Sequence, residues 1–149
     1  MTTNLLIKTD VEFKSYDEVF YHLADTFIEQ GIVKESYKEA IFAREAEFPT
    51  GIALEQNHAV AIPHCDVSHA LKPAIYVIRP NKAVQFNRPD EDGIVDAELI
   101  IALVVTDPKE QLVLLRKLFG KLQENEFVET LINATDANLP NLIKQNLQL

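Results

Sequence analysis

Val60-Ala61-Ile62-Pro63-His64-Cys65 carries the clearest structural signal in this sequence. Its first three residues are small or β-branched and apolar, which indicates the end of a buried strand. Pro63 cannot donate to a sheet ladder, so we expect strand pairing to stop there. His64 is then the first side chain beyond a rigid strand, where open α/β sheets place their ligands. Its imidazole titrates near neutral pH, so a base, a metal ligand, a nucleophile and a structural histidine all stay open.

Strand and helix patterns alternate along the rest of the chain. Besides the Val60 strand, extended segments are predicted at residues 5–13, 52–54, 74–78 and 97–105, with an acidic turn at 90–93. Helices are predicted from residue 16 to Gly31, over 34–47, from Asp107 onward, and near 125–133 and 138–147. The 149 residues fit one domain, and the alternation predicts an α/β fold with helices on both faces of the sheet.

Charge and composition exclude several classes of function. The net charge of −9 disfavours DNA and acidic membranes, which are bound through lysine and arginine. Cys65 is the only cysteine, so an internal disulfide is impossible and a reducing compartment is compatible. The first residues lack the pattern of a signal peptide, and no apolar run is long enough to span a bilayer. We therefore expect a cytoplasmic protein with no nucleic-acid partner and no direct membrane insertion.

The first predicted helix carries a capping signal and a histidine. Ser15 and Glu18 have the spacing of a capping box, and Gly31 is a suitable terminator at the other end. His22 lies away from the apolar face of this helix. We therefore interpret His22 as a solvated surface histidine.

Two polar residues occupy positions where the helical pattern calls for apolar ones. Arg44 falls in the stripe formed by Tyr37, Ile41 and Phe48. A guanidinium on a core-facing position needs a partner, which is either a carboxylate of this chain or an anion that comes and goes. Gln111 lies on the inner side of the helix that starts at Asp107, and it is either a satisfied core glutamine or a site residue.

Together Arg44, His64 and Gln111 offer a cation, an imidazole and an amide donor, a set that could bind a phosphoryl group. Phosphoryl transfer needs an in-line nucleophile and donors to the equatorial oxygens, and little covalent chemistry besides. A glycine-rich phosphate loop is missing, and the whole chain has only four glycines. The nucleophile would therefore take phosphate from another carrier than ATP, and no cofactor is expected.

A metal site is the competing interpretation of the same region. His58, His64, Cys65 and His69 lie within twelve residues, but their spacing matches neither a His-Glu-x-x-His helix nor a paired-cysteine zinc site. In an extended segment His64 and Cys65 point to opposite faces, which also disfavours a Cys-His nucleophilic pair. We expect no metal site and interpret Cys65 as a small apolar filler. A small metal-dependent hydrolase stays open as an alternative.

A resemblance to a known family is carried by these residues. The run Ala43-Arg-Glu-Ala-Glu-Phe-Pro-Thr-Gly51, followed by Val60–Cys65, resembles the fructose/mannitol-type EIIA domains (EIIA type 2) of the bacterial sugar phosphotransferase system. Two further segments are most similar in sequence to galactitol-specific members: Leu54-Glu55-Gln56 and Leu115-Arg-Lys-Leu-Phe-Gly-Lys-Leu122. The resemblance covers the whole chain, 1–149, as one domain. It implies a mixed sheet of about five strands with helices on both faces.

The resemblance also implies roles for the site residues. His64 matches the phosphorylated nucleophile, which takes phosphate from phospho-HPr and passes it to a cysteine of EIIB, and so serves the membrane component EIIC indirectly. Arg44 matches the active-site arginine. Mannitol-type members have a second histidine where this chain has Gln111, whose amide donates hydrogen bonds but carries no charge. His69 or backbone amides are then further candidates to stabilise the phosphohistidine. A regulatory, nitrogen-type EIIA module that binds targets by phosphorylation state is the alternative function.

Overall fold

The computed structural model describes residues 3–89 and 93–149, so that most of the predicted acidic turn lies outside the described residues. Five helices are α1 (Tyr16–Glu29), α2 (Tyr37–Glu47), α3 (Pro108–Leu122), α4 (Asn125–Asn133) and α5 (Leu139–Leu147). Seven strands are β1 (Asn4–Val11), β2 (Gly51–Ala53), β3 (Ala59–Ala61), β4 (Ala74–Pro80), β5 (Val84–Asn87), β6 (Ile94–Ala97) and β7 (Leu99–Val104). Single 3-10 turns cover Glu55–Asn57 and Val67–His69.

Five of the strands form one mixed sheet in the order β1-β4-β7-β3-β2. β1 is parallel to β4 and β3 is parallel to β7, whereas β4 with β7 and β2 with β3 are antiparallel. The register of β3 on β7 pairs Val60 with Leu99 and Ala61 with Ile100. The predicted fold class, a single α/β domain with a mixed five-stranded sheet, is confirmed.

Alternate residues of each central strand enter two separate cores, one on each face of the sheet. Tyr76, Ile100 and Ala102 pack with α1, α2 and the β5–β6 pair. Val77, Leu99 and Ile101 pack with α3, α4 and α5 on the opposite face. This arrangement follows from the two-residue period of a strand, and it confirms the prediction of helices on both faces.

Two elements differ from the sequence prediction. The antiparallel pair β5–β6 was not predicted, although its strands alternate between buried and exposed residues, because each has only four residues. The second helix begins at Tyr37 and not at Lys34. The segment before it is held elsewhere, since Val33 bridges Ala70 and the amide of Lys34 donates to the carbonyl of His69 (2.9 Å).

The first helix begins and ends where predicted, but two of its details were wrong. Ser15 is the N-cap by position, yet its side chain makes no capping bond, and the Glu18 carboxylate accepts the amide of Lys14 instead (2.7 Å). His22 is half-buried and not solvated, because the long Tyr76 side chain reaches up from β4 and bonds its ring through Nε2 (2.7 Å). Burial, chiefly, lowers the pKa of His22.

Candidate active site

His64 lies at the carboxyl end of β3, as the sequence predicted. β3 ends at Ala61, and the next two residues hold the outgoing chain against both neighbouring strands. The amide of Ile62 donates to the carbonyl of Thr50 (3.2 Å), and the carbonyl of Pro63 accepts the amide of Leu103 in β7 (3.0 Å). These bonds extend the sheet pairing up to Pro63, so His64 emerges half-buried from a rigid support.

The tautomer of His64 follows from a backbone acceptor beside its ring. Its Nδ1 lies 2.8 Å from the backbone carbonyl of Ile62. Because a carbonyl oxygen can only accept, Nδ1 carries the proton, and the Nε2 lone pair of the neutral ring is free. Burial, and secondarily the charge of Arg44, lower the pKa of His64, while the bond to Ile62 opposes them. The ring is therefore neutral at pH 7, with Nε2 available as a nucleophile.

Arg44 lies in the last turn of α2, close enough to His64 to influence its titration. Its Nη1 donates to the carbonyl of Phe48 (3.2 Å), and its guanidinium stacks over the Phe48 ring (4.7 Å to the centroid). The predicted stripe was wrong at its end, since Phe48 is 55% exposed and Arg44 is only half-buried. Among residues 3–89 and 93–149, no carboxylate oxygen comes within 4 Å of the guanidinium, which favours the transient anion over a structural salt bridge.

Gln111 joins the first turn of α3 to the loop that carries His64. Its Nε2 donates to the carbonyl of Cys65 (3.1 Å), the residue next to His64. This bond satisfies one N–H of the half-buried amide and leaves the second N–H for another acceptor. The structure therefore brings Gln111, Arg44 and His64 to the same end of the sheet.

The other candidate side chains have different partners. His69 forms a hydrogen bond through Nδ1 with Ser36 Oγ (2.8 Å), just before α2, so its predicted part in the site stays a prediction. His58 bonds Glu98 through Nδ1 (2.8 Å). Within the described ranges, no group of three or more His, Cys, Asp or Glu residues could hold a metal ion.

Cys65 is buried, and its thiol is inert. Burial, chiefly, raises the pKa of this thiol to about 12, so it stays protonated at neutral pH. A thiolate is the nucleophilic form of cysteine, and it is absent under these conditions. Cys65 therefore packs as the apolar filler that the sequence predicted.

Glu45 and Thr50 are site neighbours that the sequence reasoning missed. They are the buried polar residues of the described chain, 4% and 7% exposed, and they bond each other. Glu45 continues the buried positions Tyr37 and Ile41 at a spacing of four residues, so the helical period contained the signal. The predicted stripe, in contrast, contains Arg44 and Phe48.

Five cavities of the described chain leave out His64, Arg44 and Gln111. A cavity of about 620 Å³ lies at the start of α1, between Phe13, Lys14 and Asn87, and none of the site residues lines it. The cavity beside Cys65 has a volume of only about 10 Å³. A half-buried imidazole outside these cavities suits a reaction partner that is itself a protein.

A family match agrees with this geometry. The family model described as "Phosphoenolpyruvate-dependent sugar phosphotransferase system, EIIA 2" matches residues 1–146. The chain belongs to this family. The motif around His64 had predicted this membership, and the EIIA chain is thereby a component of a sugar phosphotransferase system.

Known relatives support the same conclusion. The galactitol-specific EIIA component of Escherichia coli (strain K12) is 47% identical to this EIIA chain over 137 residues, which are 92% of this chain and 91% of the relative. The predicted similarity to galactitol-specific members is thus confirmed.

Solved structures share the fold. The nitrogen regulatory protein IIA-Ntr from Neisseria meningitidis has a TM-score of 0.72 at 27% identity, covering 95% of this chain and 92% of that one. Enzyme IIAMTL, solved in complex with phosphorylated enzyme IIBMTL from Escherichia coli, has a TM-score of 0.70 at 21% identity, covering 95% and 93%. Along the described residues, no helix of this EIIA chain is long and apolar enough to cross a membrane.

Proposed function

We propose that this EIIA chain is the cytoplasmic phosphocarrier of a galactitol phosphotransferase system, and that residues 1–149 act as one EIIA domain. His64 accepts the phosphoryl group of phospho-HPr and passes it to a cysteine of the cognate EIIB, which serves the membrane component EIIC. The observation that carries the proposal is the Nε2 lone pair of His64, which the Nδ1 bond to Ile62 leaves free on a half-buried ring. The 47% identity to a galactitol-specific EIIA supports the choice of sugar.

Two displacements make up the transfer. In the first, the Nε2 lone pair of His64 attacks the phosphorus of phospho-HPr, and the breaking P–N bond returns its electron pair to the HPr imidazole. In the second, the EIIB thiolate attacks the same phosphorus, and the P–N bond to His64 breaks with its electron pair returning to Nε2. No proton has to leave His64 in the first step. The neutral ring supplies the Nε2 lone pair and keeps its proton on Nδ1, so the phosphorylated ring carries one positive charge.

Arg44 and Gln111 would stabilise the phosphoryl oxygens. The guanidinium of Arg44 has no carboxylate partner in the described chain, so it can exchange the Phe48 carbonyl for a phosphoryl oxygen. A charge-assisted bond of this kind is stronger than the neutral one that it replaces. The second N–H of Gln111 is an uncharged donor next to the loop that carries His64. His69 is a weaker candidate, since its ring is bonded to Ser36.

Phosphate transfer with purified components tests the proposal. Labelled phosphoenolpyruvate, enzyme I and HPr should label the wild-type chain and leave His64→Ala unlabelled. The matched variants His58→Ala and His69→Ala should retain label, because their rings bond to Glu98 and Ser36. Full labelling of His64→Ala would disprove the assignment of His64.

Onward transfer tests the partner and the sugar. The labelled chain should pass its phosphate to a galactitol-type EIIB faster than to a mannitol-type EIIB. Labelling without transfer to any EIIB would favour the regulatory, nitrogen-type module instead.

A further inference from the structure

A buried carboxylate lies directly beside the site and takes no part in the chemistry described so far. The two oxygens of Glu45 accept the backbone amide of Thr50 (2.8 Å) and its hydroxyl (2.7 Å). Burial raises the pKa of Glu45, and both Thr50 bonds and the Arg44 charge oppose this rise. A buried carboxylate is costly unless its oxygens are bonded, so the geometry of this pair is tightly determined.

The first consequence of the pair concerns Arg44. The bonds between Glu45 and Thr50 close the turn that leads from α2 to β2, and Phe48 lies inside that turn. The carbonyl of Phe48 accepts from Arg44 Nη1, and the Phe48 ring lies under the guanidinium. The pair therefore fixes the platform on which the Arg44 side chain rests.

The second consequence concerns His64. The carbonyl of Thr50 accepts the amide of Ile62 (3.2 Å), one residue beyond the pairing of Gly51 with Ala61. The carbonyl of the same Ile62 accepts Nδ1 of His64 (2.8 Å). Two hydrogen bonds therefore link Thr50 to the imidazole through Ile62: one holds the Ile62 backbone at its amide, and the other, at its carbonyl, sets the tautomer.

We propose that Glu45 and Thr50 are positioning residues, which hold the Ile62 carbonyl and the Phe48 turn so that His64 keeps its proton on Nδ1 beside Arg44. This inference rests on the proposed role of His64 as phosphate acceptor. It adds a function for two residues that contact neither the phosphoryl group nor the imidazole. Outer hydrogen-bond partners of this kind orient histidine ligands at metal sites in the same way.

Two variants weaken the pair without changing its shape. Thr50→Val removes the hydroxyl and leaves one buried Glu45 oxygen without its donor. Glu45→Gln keeps the volume but removes the negative charge, so the bond from the Thr50 amide loses its charge assistance and the Thr50 hydroxyl must turn to accept from the new N–H₂ group. Thr50→Ser is the matched control, since it keeps both bonds. Ile143→Val in α5 is the stability control, since it loosens the core on the opposite face of the sheet.

Nitrogen-15 NMR of the His64 ring at pH 8.5, with single-turnover phosphate acceptance, provides the measurement. In wild type, Thr50→Ser and Ile143→Val we expect the proton on Nδ1. In Thr50→Val and Glu45→Gln we expect a mixture of the two tautomers and a rate lowered about tenfold, the low end of the loss when an outer partner is removed. Glu45→Gln carries the test alone if Thr50→Val does not fold.

Two results would overturn the inference. One is a proton wholly on Nδ1 and a normal rate in both folded variants. The other is an equal fall of the rate in Ile143→Val, which would show general loosening and not positioning. Neither result touches the proposed function, which fails only if His64→Ala still accepts phosphate.

Discussion

Arg44 and Glu45 are sequence neighbours of opposite charge with opposite environments. Glu45 is buried with both oxygens bonded to Thr50, whereas Arg44 is half-buried and bonds only a carbonyl and a ring. Successive residues of α2 are turned by about 100° around the helix axis, so these two side chains point in different directions. The carboxylate is thus committed to the fold, and the guanidinium is available to a ligand.

Arg44→Gln should separate catalysis from stability. We expect phosphate acceptance or onward transfer to slow by about 10²-fold or more, the scale for loss of one preorganised donor to a transition state. The pKa of His64 should rise, because the Arg44 charge is a cause of its depression after burial. Single-turnover transfer and an NMR titration of His64 measure both effects. The melting temperature should change little, since the guanidinium makes no salt bridge in the described chain.

Arg44→Lys is the control for charge. It should keep the pKa of His64 low but restore transfer only in part, since an ammonium lacks the planar fork of a guanidinium. Normal transfer in Arg44→Gln would remove Arg44 from the site. A large fall in melting temperature with normal transfer would make it a structural residue.

The sequence predicted the positions of the candidate site residues in the fold with unequal success. His64 could be placed because Pro63 marks the end of the strand before it. Gln111 could be placed because Asp107-Pro108 marks the start of its helix. Arg44 was found on a stripe whose last member, Phe48, proved to be exposed. Glu45 was missed because adjacent stripes on a short helix overlap, and only the packing of α2 decides between them. The Ile62 carbonyl could not be predicted, since a backbone acceptor leaves no signal in a side-chain pattern.

At the scale of elements, the short strand β2 is what connects the site to the unpredicted β5–β6 pair. Gly51 begins β2 directly after Thr50, and a Cβ atom built on Gly51 would lie 2.6 Å from the carbonyl oxygen of Asn87. It would also lie 2.8 Å from Val95 Cγ2 and 2.9 Å from Phe86 Cβ. The β5–β6 pair therefore packs directly against the backbone of Gly51. This position needs a residue without a side chain. A pattern of single residues does not reveal such a close approach.

Gly51→Ala should therefore destabilise the protein by about 1–3 kcal/mol, because backbone atoms of a packed strand must shift. For a chain of this size, that is a fall in melting temperature of about 3–10 °C. Gly120→Ala is the matched control, since nothing lies within 4 Å of the added methyl group in α3. It should raise the stability by about 0.5–1 kcal/mol, the helix preference for alanine. Equal melting temperatures for the two variants would contradict the close packing of Gly51.

In the molecule as a whole, α4 is held to the sheet by polar contacts as well as by its apolar face. Arg79 of β4 donates through Nη1 to the carbonyls of Leu131 (3.0 Å) and Ala134 (2.6 Å), at the carboxyl end of α4. A cation there stabilises the last carbonyls of a helix. His58 lies before β3 and contacts Glu98 and, through Nε2, Glu129 of α4 (3.6 Å). Long-range pairs of this kind could not be predicted, because the sequence does not state which helix covers which strand.

The His58 contacts should make stability depend on pH. The bond to Glu98, chiefly, raises the pKa of His58 above its value of about 6.5 in an unfolded chain. A raised pKa stabilises the fold fully below the unfolded value, and this contribution disappears as the pH rises through the folded value. His58→Gln should therefore lower the melting temperature more at pH 5.5 than at pH 8.5. His22→Gln is the control of opposite sign, because the pKa of His22 is lowered by burial and wild type loses stability there on acidification. Parallel pH profiles for the wild type and His58→Gln would show that the charge of His58 contributes nothing to stability through Glu98 and Glu129.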